Sequence, residues 1–453
     1  MALIKSISGI RGTIGGRYKT SLTPQDIVEC IAGYGLWVKK GTDRCKVIVG
    51  RDGRISGSLV SELAINTLMA MGIDVVDLGL STTPTVEVMV SHLGADGGII
   101  FTASHNPIEW NALKFLNNKG EFISAEDGKS ILDTIKNGTI EYAGVDALGS
   151  RSTFEDAIKI HIDMILGLEY VNLDKVRAAD LHVVVDCINS TGAISVPPLL
   201  DKLGVKYTLI NEEITGDFAH NPEPLPEHLT ELSDTIKRTK ANLGICIDPD
   251  VDRLAFVCED GSMFGEEYTL VAVADYILSE KGGNTVSNLS STRALSDITL
   301  KHGFKYNASA VGEVNVVNMM KATQAIIGGE GNGGIILPEL HYGRDALVGI
   351  AIFLTHLVTS KLTMTQLKAS YPNYSIIKDK VDASSIDIKA VFIKLKATFS
   401  QEKLNDIDGL KIDFDNGWVH LRTSNTESIV RIYAESTTIE EATALINRVK
   451  SSM

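Results

Sequence analysis

One pattern, met three times along the chain, restricts the fold more than any other feature: a short β-branched strand, a helix, a glycine and a second strand. "KVIVGRD" precedes a helical stretch from Leu59 to Met71, then Gly72 and "IDVVDLG". "LHVVVDC" leads to "AISVPPLLDKL", Gly204 and "VKYTLI", and "NTVSNLS" leads to "RALSDITLKH", Gly303 and "FKYNASA". Each glycine stands where a helix C-terminus calls for a left-handed residue. Such units build parallel sheets covered by helices, so the expected fold class is α/β, with three similar mixed α/β domains. The end of the chain reads differently. "WVHLRTSN" and "SIVRIYAES" suggest two strands and "IEEATALINRVKSSM" a closing helix, a smaller C-terminal α+β domain. Boundaries near 150, 253 and 365 divide the chain into units 1–150, 151–253, 254–365 and 366–453, which 453 residues accommodate.

Charge narrows the function. With 43 Lys and Arg against 57 Asp and Glu the net charge is −14, the opposite of the basic footprint that nucleic acid requires. Phosphorylated small molecules remain compatible, because a local arginine cluster can sit inside an acidic protein. No apolar run approaches the roughly 18 residues of a membrane span, and the opening "MALIKSISGIRG" has no signal-peptide core. Cys30, Cys45, Cys187, Cys246 and Cys258 are scattered and form no Cys-x-x-Cys pair, so they read as buried thiols of a reducing cytoplasm.

Four loops carry candidate chemistry. "FTASHNP", residues 101–107, ends an apolar run in Thr102, Ser104, His105 and Asn106. A serine nucleophile with His105 as its base is the first guess, but adjacent residues rarely reach the geometry a general base needs. In "LGICIDPDVDRLAFV" two apolar strands flank Asp248, Asp250, Asp252 and Arg253, and Pro249 makes the middle a loop. Carboxylates two residues apart at a strand end are costly unless a cation neutralises them, and hard oxygen ligands favour Mg²⁺. A solvated acidic turn is the alternative.

"GGEGNGG", 328–334, holds a formal G-x-G-x-x-G at Gly329, Gly331 and Gly334. A dinucleotide fingerprint must open a helix, whereas "IILPEL" follows here, so a nicotinamide site is excluded. A turn presenting Glu330 and Asn332 suits sugar hydroxyls. "RTSNTESIVR" gathers Arg422, Ser424, Asn425, Thr426 and Arg431 around a turn, a phosphate cradle in which Arg can bind bidentately. Arg11 in "SGIRGTIGG" and Arg51 and Arg54 in "GRDGRISG" are further anion partners or structural salt bridges.

"TASHNP", "DPDVDR", the Gly-Glu loop and "RTSNTE", in this order and near these spacings, resemble the motifs of the α-D-phosphohexomutase superfamily over the whole chain. The resemblance implies four domains around a central cleft, one motif facing it from each. It implies interconversion of sugar 1-phosphates and 6-phosphates. Ser104 would then be carried as a phosphoserine, with Ser104, Asp248, Asp250 and Asp252 holding Mg²⁺. Arg11 and Arg253 would spread the phosphate charge, and His105 would orient the phosphoserine. Lys114 in "NPIEWNALKF" would transfer a proton, with burial lowering its pKa. The substrate's other phosphate would lie in the cradle and its hydroxyls at Glu330, with a hexose bisphosphate as intermediate and activator. A monomer or homodimer is expected.

One departure stands out. Many members read Gly-Glu-x-Ser-Gly-His in the sugar loop; here Asn332 replaces the serine and Gly334 falls where the histidine would be. The "EGNGG" form looks like the subgroup associated with archaeal and Bacteroidetes-type phosphoglucosamine mutases, which points to glucosamine phosphate before mannose or glucose phosphate. A Mg²⁺-dependent phosphatase and a non-catalytic sugar-phosphate binding protein are the rival classes.

Overall fold

Val47, Ile48 and Val49 are wholly buried, as are Val183, Val184 and Val185. Strands with no solvated face belong inside helix-covered parallel sheets, and that is where these lie. The computed structural model of the chain describes residues 2–6, 9–40, 44–138, 140–384, 387–423 and 429–453, so Ser424, Asn425 and Thr426 lie outside the described residues.

The first sheet contains β1 (Leu3–Ser6), β2 (Gly9–Thr13), β3 (Cys45–Arg51), β4 (Ile73–Leu80), β5 (Gly97–Phe101), β6 (Trp110–Leu116) and β7 (Arg151–Thr153), in the order β1-β2-β6-β5-β3-β4-β7. The second contains β8 (His182–Asp186), β9 (Lys206–Ile210), β10 (Leu243–Ile247) and β11 (Leu254–Cys258), ordered β11-β10-β8-β9. The third contains β12 (Asn284–Asn288), β13 (Tyr306–Ser309), β14 (Ala325–Glu330) and β15 (Gly334–Ile336), ordered β13-β12-β14-β15. All three share one core. Two parallel strands joined by a helix are followed by a third parallel strand on the other side of the first, then by an antiparallel fourth. Gly72, Gly204 and Gly303, at the helix ends, all have positive φ, as their positions required.

The fourth sheet is entirely antiparallel: β16 (Ser375–Asp382), β17 (Lys403–Asn405), β18 (Leu410–Phe414), β19 (Gly417–Thr423) and β20 (Ile429–Ser436), ordered β16-β20-β19-β18-β17. With the helices Ile388–Thr398 and Ile439–Lys450 it encloses its own apolar core. The C-terminal unit is therefore α+β but larger than the two strands and one helix read from the sequence.

Each expected boundary needs moving, because hydrogen bonds or packing cross it. β7 pairs with β4, so the first unit extends past 150 to Thr153. β11 pairs with β10, so a cut at 253 would split the second sheet. Met364 and Leu367, on the helix Met364–Ala369, pack into the core of the second and third units, so the fourth begins near Ser375 rather than at 366. Among the described residues no helix is long and apolar enough to cross a membrane.

The first three units are clasped by a buried polar cluster. His161, of the helix Ala157–Leu166, contacts Asp345 at 2.9 Å and Thr85 of the first unit at 3.0 Å. His341 lies 3.3 Å from Asp345 and 3.2 Å from Glu87, also of the first unit. Burial alone would lower the His341 pKa, but Asp345 and Glu87 push it up to about 10. Burial pushes the Glu87 carboxyl up to about 8 against the pull of His341.

Both groups hold their protons more tightly in the folded state. Their contribution is fully present below the reference values of 4.5 for the carboxyl and 6.5 for the imidazole, and it is lost as pH rises through about 8 and about 10. His341→Gln should therefore melt several degrees below the parent at pH 6.5, and the two melting curves should converge as pH approaches 10. A gap that stays constant with pH would remove His341 from the clasp.

Candidate active site

The motif loops occupy one equivalent place in the three repeated sheets, the turn from the third strand into the antiparallel fourth. Ser104 follows β5, Asp248–Arg253 link β10 to β11, and Gly331–Gly333 link β14 to β15. This is why residues 144 positions apart meet. Ser104 Oγ donates to Asp248 Oδ2 at 2.6 Å.

The serine sits in a left-handed conformation, φ 50°, which is uncommon away from glycine. Two devices hold it. Its amide donates to Thr102 Oγ1 at 2.9 Å, and the threonine hydroxyl donates to Asp52 at 2.6 Å. Arg54, only 1% exposed, donates to four carbonyls of this loop: Ser104 at 2.5 Å, Asn106 at 2.6 Å, Pro107 at 2.8 Å and Trp110 at 2.9 Å. Its Nε pairs with Asp52 at 3.1 Å. Arg54 is thus the buried frame of the serine loop, while Arg51 donates to the backbone carbonyl of Asp52. Arg11 reaches the loop through Asn106 Oδ1 at 3.1 Å. His105 Nδ1 is 3.4 Å from Ser104 Oγ. Burial, then Arg253 and Arg11, push the His105 pKa down to about 2, so its ring is neutral.

Asp248, Asp250 and Asp252 are all fully buried, with oxygens within 4.8 Å of one another. Asp248 Oδ1 accepts the amides of Asp252 and Arg253, which curls the loop around it. Between the aspartates Val251 has φ 62°, a strained value for a β-branched residue. Its neighbours over-determine it. Ser190 and Thr191 donate to Pro249 O, the Thr83 amide donates to Asp250 O, and the Ala346 amide donates to Val251 O. The last two amides are in the first turns of the helices Thr83–His92 and Ala346–Ser360, so helix N-termini face the acidic loop and favour its charge.

Burial and the neighbouring carboxylates push the Asp248 carboxyl well up. Burial pushes Asp250 the same way, but Lys114 at 2.8 Å and the Thr83 hydroxyl at 2.6 Å bring it below the usual carboxylate range. Two oxygens, Asp250 Oδ1 and Asp252 Oδ1, are buried with no hydrogen-bond partner among the described residues. Orphaned carboxylate oxygens beside Asp248 and Ser104 Oγ make an all-oxygen donor set, and the residues fit a hard divalent cation.

Two sequence expectations are corrected here. Lys114 lies 2.8 Å from Asp250 and 3.7 Å from Asp252. Burial alone would lower its pKa, as expected, but these two carboxylates outweigh it and the pKa is raised. The two carboxylates thus favour the ammonium form of Lys114. Glu330 is not presented by the glycine turn; it is the buried last residue of β14. Its oxygens accept from Asn288 at 2.9 Å, the Gly312 amide at 3.1 Å and Arg344 at 3.1 Å, leaving about one of its four lone-pair sites for a ligand. Asn332 lies in the turn, half-buried, and accepts from the Gly334 amide.

Arg253 is buried, its Nε 4.0 Å from Asp252 and lacking a hydrogen-bond partner among the described residues; its Nη1 lies 3.9 Å from Glu223. Arg422 and Arg431 face each other across β19 and β20. Arg422 pairs with Asp408 at 2.7 Å, and Asp408 also accepts the Val311 amide, next to the Gly312 amide that serves Glu330. A short run of hydrogen bonds thus connects the fourth sheet to the end of β14.

The sequence reading overlooked Thr83 and Arg344. Arg344 Nη2 lies 2.6 Å from Asp252, and its other nitrogens reach Glu330 and Glu313. The available signal was "RDALVGIAIFL", a charged pair set directly before an uninterrupted apolar helix, where both charges must be buried or capping.

The chain matches the phosphoglucomutase/phosphomannomutase alpha/beta/alpha domains I, II and III over residues 3–141, 159–261 and 265–374, and the C-terminal domain over 377–451. A probable phosphoglucosamine mutase of Methanopyrus kandleri is 33% identical, covering 97% of this chain and 95% of the relative. A phosphoglucomutase/phosphomannomutase of Thermococcus kodakarensis is also 33% identical, over 95% of each chain. The crystal structure of a phosphoglucomutase/phosphomannomutase family protein from Burkholderia thailandensis superposes with a TM-score of 0.85 at 26% identity, covering 99% of this chain and 95% of that one. With four domains matched in order and full-length relatives at this identity, the chain belongs to the phosphoglucomutase/phosphomannomutase family, enzymes of the phosphohexomutase class.

Proposed function

We propose that the protein interconverts a hexose 6-phosphate and 1-phosphate through phosphorylated Ser104, with glucosamine phosphate as the preferred substrate and mannose or glucose phosphate next. The observation that carries the reading is the 2.6 Å contact of Ser104 Oγ with Asp248 inside an aspartate triad bearing two unpartnered oxygens. Asp248, Asp250, Asp252 and Ser104 would hold Mg²⁺, which when bound supplies positive charge to a phosphoryl oxygen.

In the first half-reaction the P–O bond to Ser104 Oγ breaks as one forms to the free sugar hydroxyl, and that hydroxyl's proton ends on Ser104 Oγ. The bisphosphate then turns over and returns its other phosphoryl group by the reverse exchange. Phosphoryl transfer asks the protein mainly for alignment and charge neutralisation. Arg11 and Arg253 spread the phosphate charge, Lys114 adds a further cation, and His105 orients the phosphoserine. Arg422 and Arg431 grip the phosphate that is not reacting, together with Ser424, Asn425 and Thr426. The preference for glucosamine is supported by the "EGNGG" loop and by the Methanopyrus relative's name.

A coupled assay with glucosamine, mannose and glucose phosphates, primed with a hexose bisphosphate, tests the reading. Release of inorganic phosphate without mutase turnover would replace it with a phosphatase. Ser104→Ala should abolish turnover while the chain folds, and intact-mass measurement should find a phosphate on the parent that the variant lacks. Substantial activity in the alanine variant would end the covalent mechanism.

Asp250→Asn should lower Mg²⁺ affinity by at least the roughly 10- to 100-fold typical of a lost outer-shell partner, and turnover with it. Full activity in excess chelator would remove the metal from the proposal. Arg422→Ala should cost about 1.5–3 kcal/mol of kcat/KM, the worth of a charge-assisted hydrogen bond, in both directions of the reaction alike. A loss confined to one direction, beyond what the overall equilibrium demands, would make the cradle structural.

A further inference from the structure

Arg344 is only 8% exposed, and its side chain meets three carboxylates. Nη2 lies 2.6 Å from Asp252 of the acidic loop, Nη1 3.1 Å from Glu330 at the end of β14, and Nε 3.0 Å from Glu313, whose other oxygen accepts the Arg344 amide at 3.1 Å. A guanidinium offers five donors in one rigid fork and can serve three acceptors at once; an ammonium on a flexible stem cannot hold them in one plane. Arg344 engages Asp252 through Oδ2, and Oδ1 of that residue is one of the two oxygens without a partner.

Gly334 explains how the arginine fits. It stands directly across from Glu330 in the β14–β15 register. Its backbone does not adopt the left-handed conformation that would by itself call for glycine. A Cβ built there would lie 2.3 Å from Arg344 Cδ, closer than real Cβ atoms come, and 3.0 Å from Cγ. The space beside Glu330 can hold the stem of Arg344 or a side chain at 334, but not both.

We infer that Arg344 is a positioning residue that sets Asp252 and Glu330 in register with each other, and that position 334 is glycine to admit it. The inference rests on the proposed function for the roles of the acidic loop as a metal site and of Glu330 at the sugar hydroxyls. It makes metal binding and sugar recognition share one rigid tie across two domains. A substitution at 334 then acts on the metal through a residue that it displaces.

The test is a double-mutant cycle on the full chain, with Mg²⁺ alone titrated by calorimetry and sugar-phosphate kinetics measured beside it. Gly334→Ala, Arg344→Gln, their combination and Arg344→Lys are compared, each after a thermal melt. Gly334→Ala and Arg344→Gln should each weaken Mg²⁺ binding about 10- to 100-fold, as loss of an outer-shell partner does. Each should raise KM for sugar phosphate more than it lowers kcat, and Arg344→Lys should not restore either quantity. The double variant should be no worse than Arg344→Gln, because the two changes remove the same contact.

Multiplying effects in the double variant, or Mg²⁺ affinity in Gly334→Ala that matches the parent, would overturn the inference. Should Arg344→Gln fail to fold, Gly334→Ala, which leaves the arginine's charge in place, still decides it. A parent chain that turns over no hexose phosphate would defeat the proposed function alone, since the Mg²⁺ titrations are read without substrate.

Discussion

Everything else in the molecule is arranged around three carboxylates that water cannot reach. Burying one ionised carboxylate without compensation costs several kcal/mol, and Asp248, Asp250 and Asp252 lie together at 0% exposure. The structure meets that cost with donors drawn from other domains. Ser104 and Lys114 come from the first unit to Asp248 and Asp250, and Arg344 comes from the third to Asp252. Even the loop's carbonyls are shared out, with Pro249 bonded within its own unit, Asp250 to the first and Val251 to the third. The strained φ of Val251 persists because both neighbouring peptides are pinned on opposite sides.

The repeated topology makes this convergence possible. In each of the three sheets the chain leaves the third parallel strand, turns, and returns as an antiparallel fourth, so the turn protrudes from the strand end at a fixed place. In open α/β sheets the carboxyl ends of the strands are where ligands gather, next to the point at which strand order reverses. Set together through the His161–Asp345–His341–Glu87 clasp and a continuous apolar core between the second and third units, three such turns face one another. The backbone contact from the Leu254 amide to Gly333 O fixes the acidic hairpin against the glycine turn at 3.1 Å. The fourth unit has its own core and is joined more lightly, through pairs such as His420 with Ser290 and Lys411 with Leu289 O.

What was legible in the sequence follows from which interactions are local. The three strand–helix–glycine–strand units were readable because strand composition and helix caps are set within a few residues of each other. The acidic and serine motifs were readable because their residues are contiguous. Partnerships made across domains were not. Lys114 looked like an isolated buried amine until Asp250 and Asp252 stood beside it, which reverses the direction of its pKa shift. Glu330 looked presented because glycines follow it, but Asn288, Gly312 and Arg344 enclose it. Arg54 read as one of several loop arginines, and its four carbonyl contacts depend on a loop some fifty residues away. β16 was missed because "SIIKDKVD" has few large apolar residues; its burial alternates against β20, and pairing with that strand rather than its own composition makes it a strand.

The charges that remain say what kind of ligand the site is built to receive. Asp52 is matched by Arg54, and Asp250 and Asp252 by Lys114 and Arg344. Among the described residues Arg11 and Arg253 are answered more weakly, by an amide oxygen and by carboxylates no nearer than 3.9 Å, and Arg253 Nε has no hydrogen-bond partner there. Burial first, and then the two guanidiniums, push the His105 pKa down, and burial followed by Arg253 lowers that of Arg11. Under the proposed function a phosphoryl group of about two negative charges on Ser104 would offset the charge of these guanidiniums. The same argument accounts for the rigid framing of the serine loop by Arg54, because electrostatic compensation in a dry site depends on donors that need not move when the charge arrives.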